Sequence, residues 1–155
     1  MLGRAQISIT TRVEADISRD KDVGRRAEML RQLQMFPVVG TVGRWDVSTW
    51  GGGDVWADDA TDRLEKDLEN LLFPGLSVAD KRYGNKVNDI DHLIGHLINR
   101  RDIFVTDDRD ILRRADALKN SPGIVVMTPG DCLAYVERID TAKRRGLEPT
   151  SPDPK

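Results

Sequence analysis

Cysteine is almost absent from this 155-residue chain: there is one, Cys132. A single thiol excludes an internal disulfide and a cysteine-built zinc site, and points to a reducing, cytoplasmic setting. Aromatic residues make up only 5%. No apolar run approaches the roughly 18–20 residues needed to span a bilayer, which argues against a membrane segment. The N-terminal residues MLGRAQISIT are too short and polar for a signal peptide. Charge of one sign is also lacking: 24 Lys+Arg stand against 26 Asp+Glu, a net −2. No global pull toward nucleic acid follows, so binding to one would need a local basic patch. What is present is a chain 39% hydrophobic and 32% charged, as in a globular domain with a rich charged surface. Its length suits one domain. We expect one over residues 1–140 and a basic, then proline-rich, disordered tail over 141–155.

Alternation and β-branching predict strands at 6–10 (QISIT) and 38–42 (VVGTV), and apolar runs predict strands at 102–106 (DIFVT) and 123–127 (GIVVM). Helical spacing predicts helices near 11–19, 22–35, 58–73, 89–99 and 108–118, with a last one from Thr128-Pro129 to about Ile139. Residues 77–88 read as a polar loop. From residue 88 onward helices and strands alternate with short links, which argues for parallel βαβ units. The fold class is therefore α/β, with a mostly parallel sheet.

In such sheets functional groups gather past the carboxyl ends of the strands. Glu14 and Asp16 follow the first strand, and Asp107, Asp108 and Asp110 follow DIFVT. Asp89 and Asp91 stand at the expected start of the helix before it. Converging carboxylates without His or Cys suit a hard divalent cation, Mg²⁺ or Mn²⁺. Acids at helix starts equally serve as caps or dipole partners. His92 and His96 share a helix face without an evident third ligand, so they are expected to pack or bond locally. Arg100, Arg101, Arg109, Arg113 and Arg114 form a basic group that is either a solvated face or a set of phosphate contacts. Trp45, Trp50 and Trp56 could stack on bases, pack in a core or form an interface. Gly51, Gly52 and Gly53 make no nucleotide-binding fingerprint.

NDIDHLIGHLINRRDIFVTDDRDIL, residues 88–112, resembles the C-terminal half of a PIN domain. There an Asp on a helix is followed by a strand and then Thr-x-Asp-x-Asp, here Asp91, Thr106, Asp108 and Asp110. GIVVMTPGDCL is similar to that family's last strand and helix, and ISITTRVEADI to its second strand and helix. The resemblance implies a three-layer α/β/α fold and a metal-dependent endoribonuclease, in many members the toxin of a toxin–antitoxin pair. It implies that Asp16, Asp91 and Asp108 hold Mg²⁺ or Mn²⁺. Thr106, Asp110, Glu14 and Asp89 would support them, and Arg100, Arg101, Arg109 and Arg113 would touch RNA. An antitoxin and a second copy of the chain are the implied protein partners. The family opens with a strand bearing an acid, in a pattern like Asp-Thr-Asn. No such strand precedes QISIT, so the resemblance is to an N-terminally incomplete domain. Either the start lies further upstream, or another chain supplies the strand, or this copy is an inactive module that binds RNA or protein.

Overall fold

The computed structural model describes residues 5–44, 48 and 53–147. They form a mixed α/β structure with short parallel strand pairs, divided into two compact units. Among the described residues, one comprises those within 7–100, the other residues 101–147 together with 5–6.

In the first unit β1 (Ile9–Thr10) leads into α1 (Arg12–Ser18) and α2 (Val23–Leu33), and the chain returns as β2 (Val38–Val39). β2 pairs with β1 in parallel, Ile9 opposite Val38 and Thr10 opposite Val39. Both strands are shorter than the sequence suggests. β-Branched residues favour extension, but only two residues on each side find ladder partners. A further parallel bridge joins Val42 to Val55. Next to it Gly40 and Gly53 approach so closely that a Cβ on Gly40 would lie 1.8 Å from the Gly53 carbonyl oxygen.

α3 (Asp59–Leu72) begins at Asp58, whose side chain accepts from the backbone N–H of Thr61, and carries Asp59 and Asp62 in its first turn. Both features suit the positive end of a helix. α4 (Tyr83–Ile98) starts six residues before the expected boundary at Asp89. Of the polar run 77–88 that reads as a loop, residues 77–82 are not helical and only 83–88 are; there Val87 and Asn88 are buried, so tertiary packing overrides weak local preference. Asp89 and Asp91 therefore sit inside the helix and are not its caps. α4 packs on α3, on α1 and on β1. Its Ile90, Leu93 and Ile94 join Leu68 and Leu72 of α3 and Ile17 of α1 among the buried residues. Burying each such side chain contributes roughly 1.5–3 kcal/mol.

In the second unit β3 (Phe104–Val105) pairs in parallel with β4 (Val126–Met127). Between them run α5 (Arg109–Leu112) and α6 (Ala115–Asn120), two short helices where the sequence suggests one over 108–118. Ile111, Leu118, Ile124, Val126 and Met127 are buried. α7 (Pro129–Arg144) opens with a reciprocal cap. The Thr128 hydroxyl donates to the Asp131 carboxylate at 2.7 Å and accepts from the Asp131 N–H at 3.2 Å, which satisfies one free N–H of the first turn and holds an acid at the positive end of the helix. This helix continues past Ile139 to Arg144, so the expected tail is helical over its first four residues. Residues 148–155 lie outside the described residues, as do Trp45, Trp50, Gly51 and Gly52. Among the described residues no helix is long and apolar enough to cross a membrane.

Candidate functional site

The polar side chains of the first unit collect where β1 and β2 end and where α1 meets α4. This follows from chain geometry. Thr10, Thr11 and Arg12 leave β1 at its carboxyl end, and Thr41, Val42 and Arg44 follow β2. On α4, Asn88, Asp91 and His92 are spaced three and four apart and so share a face. On α1, Arg12 and Asp16 are four apart and do the same.

At the centre lies Asp91, with 0% of its side chain exposed. Its Oδ2 accepts from Arg12 Nε at 2.8 Å and from Arg44 Nε at 2.8 Å, and its Oδ1 accepts from Arg44 Nη2 at 2.7 Å. Arg44 thus grips the carboxylate with a two-pronged fork, the strongest geometry for such a pair. Arg12 is 1% exposed. Its remaining nitrogens donate to the Val42 carbonyl and to the Ser48 hydroxyl. Arg44, 28% exposed, also donates from Nη2 to Glu65 on α3 at 2.9 Å. The Asp91 hydrogen bond raises Arg44 further above the usual guanidinium pKa, outweighing desolvation. The Thr41 hydroxyl donates to the Asp91 backbone carbonyl. Asp54 closes the network from the other side, accepting from the Thr11 hydroxyl at 2.6 Å and the Thr41 N–H at 2.9 Å. Burial works against its ionisation, but bonds from Ser48, Thr11 and Thr41 and the charge of Arg12 hold its carboxyl below the usual range.

One turn away runs a second chain of bonds. The Thr10 hydroxyl meets His92 Nδ1, His92 Nε2 meets Asp16 Oδ2 at 3.0 Å, and Asn88 donates to Asp16 Oδ1. Hydroxyl, imidazole and carboxylate are in relay order, but the order does not meet its opening. Asp16, 39% exposed, lines an open hollow with Arg19, Lys21 and Met29, whereas Thr10 sits at the far end of the relay. The relay therefore ties β1, α1 and α4 together. Desolvation raises the Asp16 pKa; the His92 and Asn88 bonds, with the charges of His92 and Arg19, more than reverse this and keep it below the ordinary value.

The other sequence-predicted residues have local roles. In the second unit Asp108 Oδ1 caps α5, accepting from the N–H groups of Asp110 at 2.7 Å and Ile111 at 3.1 Å. Thr106 Oγ1 accepts from the Asp108 N–H at 3.0 Å, and Asp110 pairs with Arg113 at 2.9 Å. Arg109, Arg113 and Arg114 are exposed, and Arg101 is half-buried. In the first unit Glu14 and Arg100 are exposed, Asp89 is half-buried, and His96 is buried. Trp56 is exposed, and burial pushes the Cys132 thiol up, away from reactivity.

A Mg²⁺ or Mn²⁺ ion held by Asp16, Asp91 and Asp108 was the expectation. The donor chemistry does not fit it. Asp91 has no face open to solvent, and both its oxygens are committed to guanidinium groups. Among the described residues no three or more His, Cys, Asp or Glu side chains stand together as a metal site. The sequence reading missed Arg12, Arg44 and Asp54. The available signal was Asp91 itself: a carboxylate on the otherwise apolar face of Ile90, Leu93 and Ile94 must be buried, and a buried carboxylate needs a cation. The arginines that follow the two strands were the nearest supply. In comparison with known proteins, the chain matches no family model, no curated protein and no solved structure.

Proposed function

We propose that this chain is a PIN-like α/β module, of three-layer architecture, that binds RNA and does not cut it. The observation that carries the non-catalytic half of this reading is the double arginine grip on buried Asp91. Metal-assisted hydrolysis requires a carboxylate that can hold a cation and leave room for water and phosphate. Asp91 offers neither.

RNA is favoured as the partner by the basic group in the second unit. Arg109, Arg113 and Arg114 lie within six residues, all exposed. Guanidinium groups suit phosphate through forked hydrogen bonds, and phosphate contacts supply most sequence-independent affinity. The Arg113–Asp110 pair is exposed on both sides. Such a pair is worth little in water, so phosphate can compete for the arginine.

Fluorescence anisotropy with labelled single-stranded RNA, in EDTA and across a salt series, tests the reading. Binding should persist in EDTA and weaken with salt. Arg109→Ala, Arg113→Ala and Arg114→Ala should each weaken it, and each lost phosphate contact should reduce the log–log salt slope by about 1. RNA cleavage with Mn²⁺ that EDTA abolishes would restore the nuclease reading. Absence of RNA binding would leave a protein-binding module.

A further inference from the structure

We propose that Arg44 is the resident cation of the Asp91 centre, standing where an acidic cluster of this kind would otherwise need a divalent metal. A single nitrogen, Nη2, donates to Asp91 Oδ1 on α4 at 2.7 Å and to Glu65 Oε1 on α3 at 2.9 Å. Two carboxylates bridged so closely repel each other unless a positive charge lies between them. Oxygen ligands around one hard cation are the common remedy. Here the positive charge is covalently attached to the chain, and Arg12 supports Asp91 Oδ2 from the other side at 2.8 Å.

The arrangement explains two facts together. Asp91 can be fully buried because its charge is compensated by groups fixed in the same fold. Arg44 can be partly exposed because one edge of it also serves Glu65 at the surface. It also means that α3 and α4 are joined by a side chain from the segment after β2. The strength of that junction then does not depend on dissolved metal. Arg44 holds this junction in the free protein, whether or not RNA is bound.

The test is thermal unfolding of the full chain, by calorimetry, in EDTA and in millimolar MnCl₂ at matched ionic strength. Wild type should melt at the same temperature in both. Arg44→Ala should melt lower in EDTA and recover part of the loss in MnCl₂, because a ligand that binds only the folded state raises its stability by mass action. That recovery should vanish in the Arg44→Ala/Glu65→Gln double variant, which has lost one of the two carboxylates. Arg44→Lys keeps a compact charge without the fork and should melt between the two with no response to Mn²⁺. It also serves as the test if Arg44→Ala does not fold. The proposal is overturned by a wild-type protein that Mn²⁺ stabilises. It is equally overturned if Arg44→Ala melts like wild type or gains no response to Mn²⁺, or if Arg44→Lys responds to Mn²⁺.

Discussion

Replacing Asp91 by asparagine changes almost no volume and removes one charge. Its effect can be worked from the contacts. In the native fold Arg12 is 1% exposed, and its nearest counter-charge is Asp91 at 2.8 Å; Asp54 stands farther away at 3.8 Å. An asparagine accepts through one oxygen only, and its NH₂ group would face guanidinium N–H donors. Arg12 would keep the Val42 carbonyl and Ser48, neither of which carries charge. Removing one partner of a buried pair costs about 3–5 kcal/mol, because the other charge stays buried, here with only the more distant Asp54 to answer it. At about 2–4 °C per kcal/mol for a chain of this size, the melting temperature should fall by roughly 6–20 °C. Urea unfolding of wild type and Asp91→Asn measures the difference directly. The double change Arg12→Met/Asp91→Leu should recover part of the loss, since it removes the buried charge left on Arg12 while Arg44 keeps Glu65 as its counter-charge. If Asp91→Asn lies within about 0.5 kcal/mol of wild type, the range of ordinary surface changes, Asp91 is not the buried paired charge described here.

Three further outcomes follow from the same geometry. Asp54 has a folded-state pKa below its ordinary 3.8. Ionised Asp54 therefore stabilises the fold above that pH, and the contribution disappears as pH falls through the folded-state value. The stability gap between wild type and Asp54→Asn, measured by urea unfolding across pH, should be full at neutral pH and close below about pH 4. Gly40→Ala should destabilise strongly, by about 3 kcal/mol or more, because the new Cβ meets the Gly53 backbone at 1.8 Å and backbone cannot swing aside. Arg100 follows α4 with φ of 49°, the left-handed region that glycine occupies without steric cost. Arg100→Gly should raise stability by about 0.5–1 kcal/mol.

The elements themselves were largely legible. α3 announced itself through Leu64, Leu68, Leu71 and Leu72 with acids in the first turn, and α7 through Thr128-Pro129, because spacing and capping are local signals. The start of α4 was not legible. Tyr83 and Val87 do extend the helical spacing of Ile90 and Ile94 backwards, but two residues among polar neighbours and Gly84 are a weak signal, and the segment is held by burial of Val87 and by the Asn88–Asp16 bond, which joins residues 72 positions apart. The break between α5 and α6 was likewise hidden in a continuous helical pattern.

The site divides in the same way. Asp16 stood out as an acid after a strand and Asp91 as an acid at an expected helix start, and the structure puts both at the α1–α4 junction. What the sequence could not convey is which cations answer them. Arg12 and Arg44 are separated from Asp91 by 79 and 47 positions, and in a chain with 24 basic residues no local pattern selects those two. Asp91 as a metal ligand follows from the PIN resemblance and from the repulsion of converging carboxylates, whereas the arginine grip answers its burial; in both cases a carboxylate needs positive charge beside it. The two differ in what supplies the charge. Asp108, by contrast, stood at a helix start in the sequence and caps that helix in the structure.

The most direct test of the account is to incubate the full chain with end-labelled single-stranded RNA in MnCl₂ and in EDTA, and to separate the products on a denaturing gel. The RNA should stay intact under both conditions, at protein concentrations where anisotropy shows it bound. Cleavage in MnCl₂ that EDTA abolishes and Asp16→Asn or Asp108→Asn reduces would contradict it and show that the acids work with a metal after all.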